Sequence, residues 1–399
     1  MKLKENDNVP EIRFDYFKEE WDKKRFKDFT KLSQGLQIAI SSRFLEDGEH
    51  RYFYITNEFL NPNSTKKYYI ESPSENVICT VDDILMTRTG NTGKVITNIS
   101  GAFHNNFFKV DYDKFETSKI FLYYLLTSND IQKEIIIRAG NSTIPDLNHR
   151  DFYSIKTSVP ALAEQSAIGS FFRTLDDLLA RYKDNLTNYQ SLKATMLSKM
   201  FPKDGQTVPE IRLDGFEEEW GKDTLEPYLT ESRISGDTGL TAKKITVKLW
   251  GKGVIEKEEK YAGSSNTQYF IRKGGQFIYS KLDFQNQAFG IIPNELNGYQ
   301  STLDLPTFDI QNIDSKFLLE YVMRREFYEY QGLIANGSRK AKRIHPEDFL
   351  VMPVRIPSIE EQQAIGAYFS NLDNLINSHQ EKISQLEILK KKLLQDMFI

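Results

Sequence analysis

Val9-Pro-Glu-Ile-Arg-Phe-Asp-Tyr-Phe-Lys-Glu-Glu-Trp21 returns as Val208-Pro-Glu-Ile-Arg-Leu-Asp-Gly-Phe-Glu-Glu-Glu-Trp220. A second echo closes each half. Val159-Pro-Ala-Leu-Ala-Glu-Gln-Ser-Ala-Ile-Gly-Ser-Phe-Phe172 is answered by Ile356-Pro-Ser-Ile-Glu-Glu-Gln-Gln-Ala-Ile-Gly-Ala-Tyr-Phe369, and Met200-Phe201 by Met397-Phe398. The offset is 199 residues at the leaders (9 to 208) and 197 at the ends (201 to 398), so the chain is written twice over nearly its whole length. Between the echoes the two middles scarcely resemble each other. A fixed frame carrying two different readers gives that pattern, and it predicts a pseudo-twofold in which residue 9 lies as near the end of the second half as residue 208 lies to residue 201.

Outward from the second echo runs the clearest periodicity. Apolar side chains at Ile168, Phe171, Leu175, Leu178, Tyr182, Tyr189, Leu192 and Met196 step by three, four and seven, the signature of one helical face. Its counterpart is Ile365, Tyr368, Leu372, Leu375, His379, Leu386, Leu389 and Leu393, with Ile383 shifting the stripe by one. Each helix would be about 55 Å long at 1.5 Å per residue, too long to be buried in one small domain. The two stripes therefore predict helices that pair with each other, with Asn185 and His379 as polar seam positions that fix register. A partly exposed seam facing a partner protein accounts for the same residues. Pro160 and Pro357 precede the helices, and the Glu-Gln pair after each suits the positive end of the helix dipole.

The expected divisions are a leader over 1–21, a first reader over 22–158, a central helix over 159–203, a linker and repeated leader over 204–221, a second reader over 222–355 and a final helix over 356–399. Strands are expected at Val77 to Met86 and Phe277 to Leu282, helices at Ser118 to Ile137 and Ser315 to Tyr330. Each reader is thus a mixed α/β domain.

With 399 residues the chain exceeds one compact core. A formal net charge of −4 excludes a globally basic nucleic-acid coat and leaves local patches. The one cysteine, Cys79, cannot form an intrachain disulfide and sits in an apolar run, which suits a reducing cytoplasm and a packing role. The N-terminus carries no signal-peptide core, and no stretch approaches the ~20 apolar residues of a membrane span.

Catalytic signatures are weak. Asn61-Pro-Asn-Ser64 lacks the second proline and aromatic of a base-methylation loop. Gly90-Asn-Thr-Gly-Lys94 is too short for a phosphate-binding loop and reads as a turn between strands. Glu258-Glu-Lys260 matches a nuclease fragment only formally, and five histidines with no His-Cys cluster give no metal site. The candidate nucleic-acid contacts lie in loops. In the first half they are Arg88 and Lys94, then Arg138, Asn141, His149 and Arg150. In the second they are Lys281 and Gln287, then the basic run Arg339, Lys340, Lys342 and Arg343. Arginine suits a guanine edge, amides suit adenine, and lysine suits phosphate. Hairpin chemistry or a solvated surface accounts for the same loops without DNA.

Taken in order, the Val-Pro-Glu-Ile-Arg leaders, Asp82-Asp-Ile-Leu-Met-Thr-Arg-Thr-Gly90, the Pro-x3-Glu-Gln-x2-Ile-Gly helix starts and the Met-Phe ends resemble the specificity subunit of type I restriction-modification systems. The resemblance implies two target recognition domains on antiparallel helices, each reading half of a bipartite target in double-stranded DNA. It implies no catalysis and no cofactor on this chain. S-adenosylmethionine, ATP and magnesium would belong to partners: two modification subunits that methylate adenine, and restriction subunits that translocate and cleave. The seam residues Leu175, Leu178, Tyr182, Asn185 and Tyr189, with Leu372, Leu375, His379, Ile383 and Leu386, would form the coiled coil or the partner surface. The second reader has Gly275-Gln-Phe-Ile-Tyr-Ser-Lys281 in place of the Arg-x-Gly of the first. A self-sufficient nuclease or methyltransferase, and a duplicated protein scaffold, are the competing classes.

Overall fold

A computed structural model describes residues 9–140, 143–258, 263–334 and 343–399. The architecture is mixed α/β with an internal repeat, and it includes two helices of 38 residues, Leu162–Lys199 and Ile359–Asp396. The chain divides into two compact units, and the division cuts both long helices at mid-length. The first unit holds the described residues up to Lys183 together with Glu381–Ile399; the second is Asp184–Gln380.

In the first unit, strands Thr30–Gln34, Phe107–Tyr112, Ile84–Thr87 and Val95–Thr97 form, in that spatial order, an antiparallel sheet. A second sheet orders Tyr69–Glu71, Arg51–Ile55, Gly101–Phe103 and Ile78–Cys79. Helices Lys119–Thr127 and Asn129–Ala139 cover the core and a short helix His149–Ser154 follows. The core gathers Trp21, Phe108, Phe121, Phe152 and Phe172 with Leu393, Met397 and Phe398 from the end of the second long helix.

The second unit repeats this plan although its sequence differs. Leu229–Glu231, Thr307–Ile310, Phe277–Tyr279 and Phe289–Ile291 form an antiparallel sheet of the same strand order. Helices Ser315–Met323, Arg325–Gln331 and Pro346–Leu350 take the corresponding places. Gly221–Thr224 pairs with Pro353–Ile356 as Asp22–Arg25 pairs with Lys156–Val159 in the first unit, whereas the strands that are left are arranged differently, as a three-stranded sheet and the hairpin Ile245–Val247 with Val254–Glu256. Here Met200 and Phe201, at the end of the first long helix, enter the core beside Trp220, Phe317 and Phe369.

The leaders account for the echoes. In the first unit the Ile12 N–H donates to the Asp396 carbonyl at 3.0 Å; in the second, Ile211 N–H donates to Lys199 at 2.9 Å. Each leader thus lies beside the end of a long helix within its own unit. Arg13 clamps both oxygens of Glu164 at 2.7 Å, and Arg212 clamps Glu361 at 2.8 and 2.7 Å. The adjacent glutamines are tethers. Gln165 accepts from Ser118 N–H and donates to the Pro160 carbonyl; Gln362 accepts from Asp314 N–H and donates to the Pro357 carbonyl. The Glu-Gln pair is therefore a buried latch, with the helix dipole a minor part of its role.

Within each unit the two long-helix segments run antiparallel. Lys183 pairs with Glu387 and Lys390 with Asp176 in the first, and Lys193 pairs with Asp373 in the second. Leu175 and Leu372 are buried, and Tyr182, Tyr189, His379, Ile383 and Leu386 are half-buried, with Tyr189 and His379 rings 5.1 Å apart. Leu178, Asn185 and Leu375 instead face solvent, because Leu179, Leu186 and Ile376 take the inward positions one residue later. A straight 3.6-residue helix drifts relative to a strict heptad, which shifts the inward row in this way.

Four sequence expectations change. Val77 to Met86 is not one strand: a turn at 81–82 separates Ile78–Cys79 from Ile84–Thr87, and the two pieces join different sheets. The stretch 118–137 is two helices broken at Ser128, and 315–330 is broken at Arg324, each by one extended residue (ψ 150° and 142°). The strand at Phe277 ends at Tyr279.

Candidate nucleic-acid interface

In the first unit, the hairpin between Ile84–Thr87 and Val95–Thr97 carries Arg88 and Lys94. Gly90, Asn91 and Gly93 supply its left-handed turns (φ 62°, 61° and 88°), and a Cβ at Gly93 would strike the Gln132 side chain. This loop is zipped to the one that precedes the short helix. The Arg88 carbonyl accepts from Leu147 N–H at 2.8 Å, and Thr92 Oγ1 donates to the Pro145 carbonyl at 2.8 Å. Arg88, Lys94, His149 and Arg150 therefore share one edge.

The second unit builds the same edge from other residues. The loop after Phe277–Tyr279 begins at Lys281, whose carbonyl accepts from Ile344 N–H at 3.1 Å, while the Tyr279 hydroxyl donates to the Ile344 carbonyl. Lys281, Gln287 and Arg343 are thereby placed on adjoining loops, although the second loop lacks the Arg-x-Gly of the first. Gln287 itself is left-handed (φ 54°).

Their environments differ. The Arg88 guanidinium lies 2.7 Å from Asp146, donates to the Leu147 carbonyl and covers the Phe108 ring at 5.5 Å. That commits it to bracing the two loops, in place of presenting an open fork. His149 packs edge-on against Phe108 at 4.6 Å, and burial, then nearby Arg88, lowers its pKa, so it is neutral at pH 7. Arg138 is held by Glu134 and Ser154 at the end of its helix. Lys94 and Arg150 are exposed, with no ion pair among the described residues. Arg343 sits 3.6 Å from Asp304. Asn141, Arg339, Lys340 and Lys342, and Glu259 and Lys260 of the nuclease-like string, lie outside the described residues.

Two features have no counterpart among the sequence expectations. Lys23, Lys24 and Arg25 form a short strand antiparallel to Lys156–Val159, so that four cations line one groove with Asp28. The signal was the run of three cations after Trp21. The second feature is the hairpin tip Lys248-Leu-Trp-Gly-Lys-Gly253. Trp250 N–H donates to the Asn286 carbonyl at 2.8 Å and Gly251 N–H to the Gln287 carbonyl at 2.9 Å, which fixes the tip beside the Gln287 loop.

Cys79 is buried, its thiol pushed up to about 11 chiefly by that burial. Among the described residues no cluster of His, Cys, Asp and Glu is placed to hold a metal, and no helix is long and apolar enough to cross a membrane.

A family model described as the type I restriction modification DNA specificity domain matches twice, over residues 18–188 and 236–388. The type I restriction enzyme MjaVIII specificity subunit of Methanocaldococcus jannaschii is 22% identical over 421 residues, covering 99% of this chain and 96% of that one. The S subunit of a type I restriction-modification system from M. genitalium has a similar structure, with a TM-score of 0.62 at 15% identity over 98% of this chain and 99% of that one. A chain from a study of complex assembly and conformational transition of the type I system gives 0.52 at 14% identity, over 94% and 96%. At such identities the structural likeness speaks for the fold.

Proposed function

We propose, for a chain that belongs to the family of type I restriction-modification DNA specificity domains, that each unit reads one half of a split DNA target through its paired-loop edge. As a specificity subunit it is a DNA-recognition component with two recognition domains, not a catalyst. The observation that carries the finer reading is the repeated edge. Unlike sequences place candidate base and phosphate contacts on the same two loops, joined by the same hydrogen bond, Leu147 to Arg88 and Ile344 to Lys281. Two like frames with unlike edges suit a target with two unlike halves.

On this reading the two long helices set the spacer between the half-sites and offer their outer faces to two modification subunits in the cytoplasm. Adenine must leave the duplex to be methylated, so the reader's task is to hold a methyltransferase over a chosen base on each strand. The partners would bring S-adenosylmethionine, and restriction subunits would bring ATP and magnesium. Long-read methylation mapping of cells expressing this chain with its cognate modification subunit tests the proposal. A split motif methylated at adenine in both halves is expected; no new methylation with both proteins verified would overturn it.

A further inference from the structure

Resting on the DNA reading above, we infer that Trp250 is a specificity-determining contact, its indole packing against bases of the half-site read by the second unit while Lys248 and Lys252 hold the flanking phosphates. Of the chain's three tryptophans, Trp21 and Trp220 are buried at 2% exposure and serve the cores, whereas Trp250 is 57% exposed and fills no core. It is also left-handed, with φ 60°, a conformation that is unfavourable for a bulky side chain. The backbone is locked there by the two hydrogen bonds to Asn286 and Gln287 and by Lys248 N–H to Gly253 at 2.8 Å. Gly251, left-handed at φ 64°, lets the tip lie against Met323, since a Cβ would come within 2.2 Å of its methyl.

A strained aromatic that is largely exposed and belongs to no core cluster of its own unit is a signature of a binding position. Its surroundings choose the ligand. Lys248 and Lys252 are exposed, with no ion pair among the described residues, and they stand two residues before and after Trp250 on the hairpin tip. The tip adjoins the loop carrying Lys281 and Gln287, so one surface presents cations for phosphate, an amide for a base edge and a flat apolar ring. Stacking on an aromatic needs no particular base, but access to a base face depends on how readily a step unstacks, which makes such a contact sensitive to sequence. The first unit has no tryptophan at its edge, so the contribution is confined to one half-site.

The test uses the full complex with modification subunits and a duplex bearing the mapped motif, with a second duplex whose second-unit half-site is scrambled. Trp250→Ala should weaken binding to the motif tenfold or more and leave scrambled-duplex binding unchanged, while Trp250→Phe stays within about threefold. Trp250→Gly separates the roles: it relieves the left-handed strain, so its melting temperature should not fall, yet it should bind as poorly as Ala. The double change Lys248→Gln with Lys252→Gln should reduce the salt dependence of log K by about two. Ala and Gly variants that bind the motif within twofold of wild type would overturn the proposal. If the unaltered complex fails to distinguish the two duplexes, the DNA-specificity reading itself falls, and this inference with it.

Discussion

Arg13 and Arg212 each hold a carboxylate that is almost wholly sealed from water, with Glu164 and Glu361 side chains only 3% and 2% exposed. Arg13→Ala would strand a buried charge and should cost about 1–3 kcal/mol in chemical unfolding. A change under a few tenths would show that solvent reaches the site. The glycines five residues along, Gly169 and Gly366, are equally constrained. A Cβ on Gly169 would meet the Phe121 backbone nitrogen at 2.9 Å, and one on Gly366 would meet Asp314 Oδ1 at 2.5 Å. Glycine to alanine in a helix ordinarily stabilises by about 1 kcal/mol. Here Gly366→Ala should destabilise by about 1–3 kcal/mol through overpacking, so the sign alone decides. A further repeated cluster joins helix pair to reader: Tyr124, Asp176 and Lys390 in the first unit, and Glu320, Asp373 and Lys193 in the second. Burial raises the Glu320 carboxyl above its ordinary value despite the pull of Lys193. A raised folded-state value gives a contribution that is full at low pH and lost as pH rises through that value. Glu320→Gln should therefore be relatively more stable at neutrality than near pH ~4, the ordinary carboxylate range, while Lys193 keeps Asp373. Urea melts at several pH values check this; a relative advantage at neutrality no greater than at low pH would contradict it.

Among elements, the long helices were legible because an amphipathic stripe of that length fits almost nothing but a long helix. The observed 38-residue spans match the periodicity, and the one-residue drift to Leu179, Leu186 and Ile376 shows where a heptad count fails. The readers were less legible for a physical reason. Strands of two to six residues carry little alternation, and Ser128 and Arg324 break their helices through one extended residue that no proline or glycine announces. Arg324 is held there by packing, its guanidinium 4.0 Å from the Tyr321 ring and 4.7 Å from Phe201, a contact between residues far apart in sequence. Loop partners were similarly hidden: Arg88 looked like a free fork, and Asp146, 58 residues away, is what occupies it. Trp250 gave no signal because a lone tryptophan in a sequence is usually core. If the helices act as a spacer, adding one turn to each near residues 183 and 380 lengthens them by about 5.4 Å. The unread gap in the methylated motif should then change by about one or two base pairs with both half-sites intact, given ~34 Å per 10–10.5 base pairs. An unchanged gap in a methylation map would refute the spacer role.

For the whole molecule, two self-contained units with separate cores and separate edges imply independent readout. Lys281→Ala combined with Gln287→Ala should alter or relax one half of the methylated motif and leave the other as it was; loss of both halves together would mean that the edges are coupled. The duplication also decides where each core finds its last pieces. The first unit is closed by Leu393, Met397 and Phe398 from its second segment, Glu381–Ile399, yet its first segment ends at Lys183. At ~5–20 residues per second on the ribosome, the early unit waits about 10–40 s for its closing residues, with Phe121 and Phe172 uncovered meanwhile. The second unit has no such delay, since Met200 and Phe201 precede the rest of it. A translation product cut short anywhere before the final turn therefore exposes an open aromatic core that proteases and chaperones can recognise. The fold thus withholds a finished first reader from any chain that could not also supply the second.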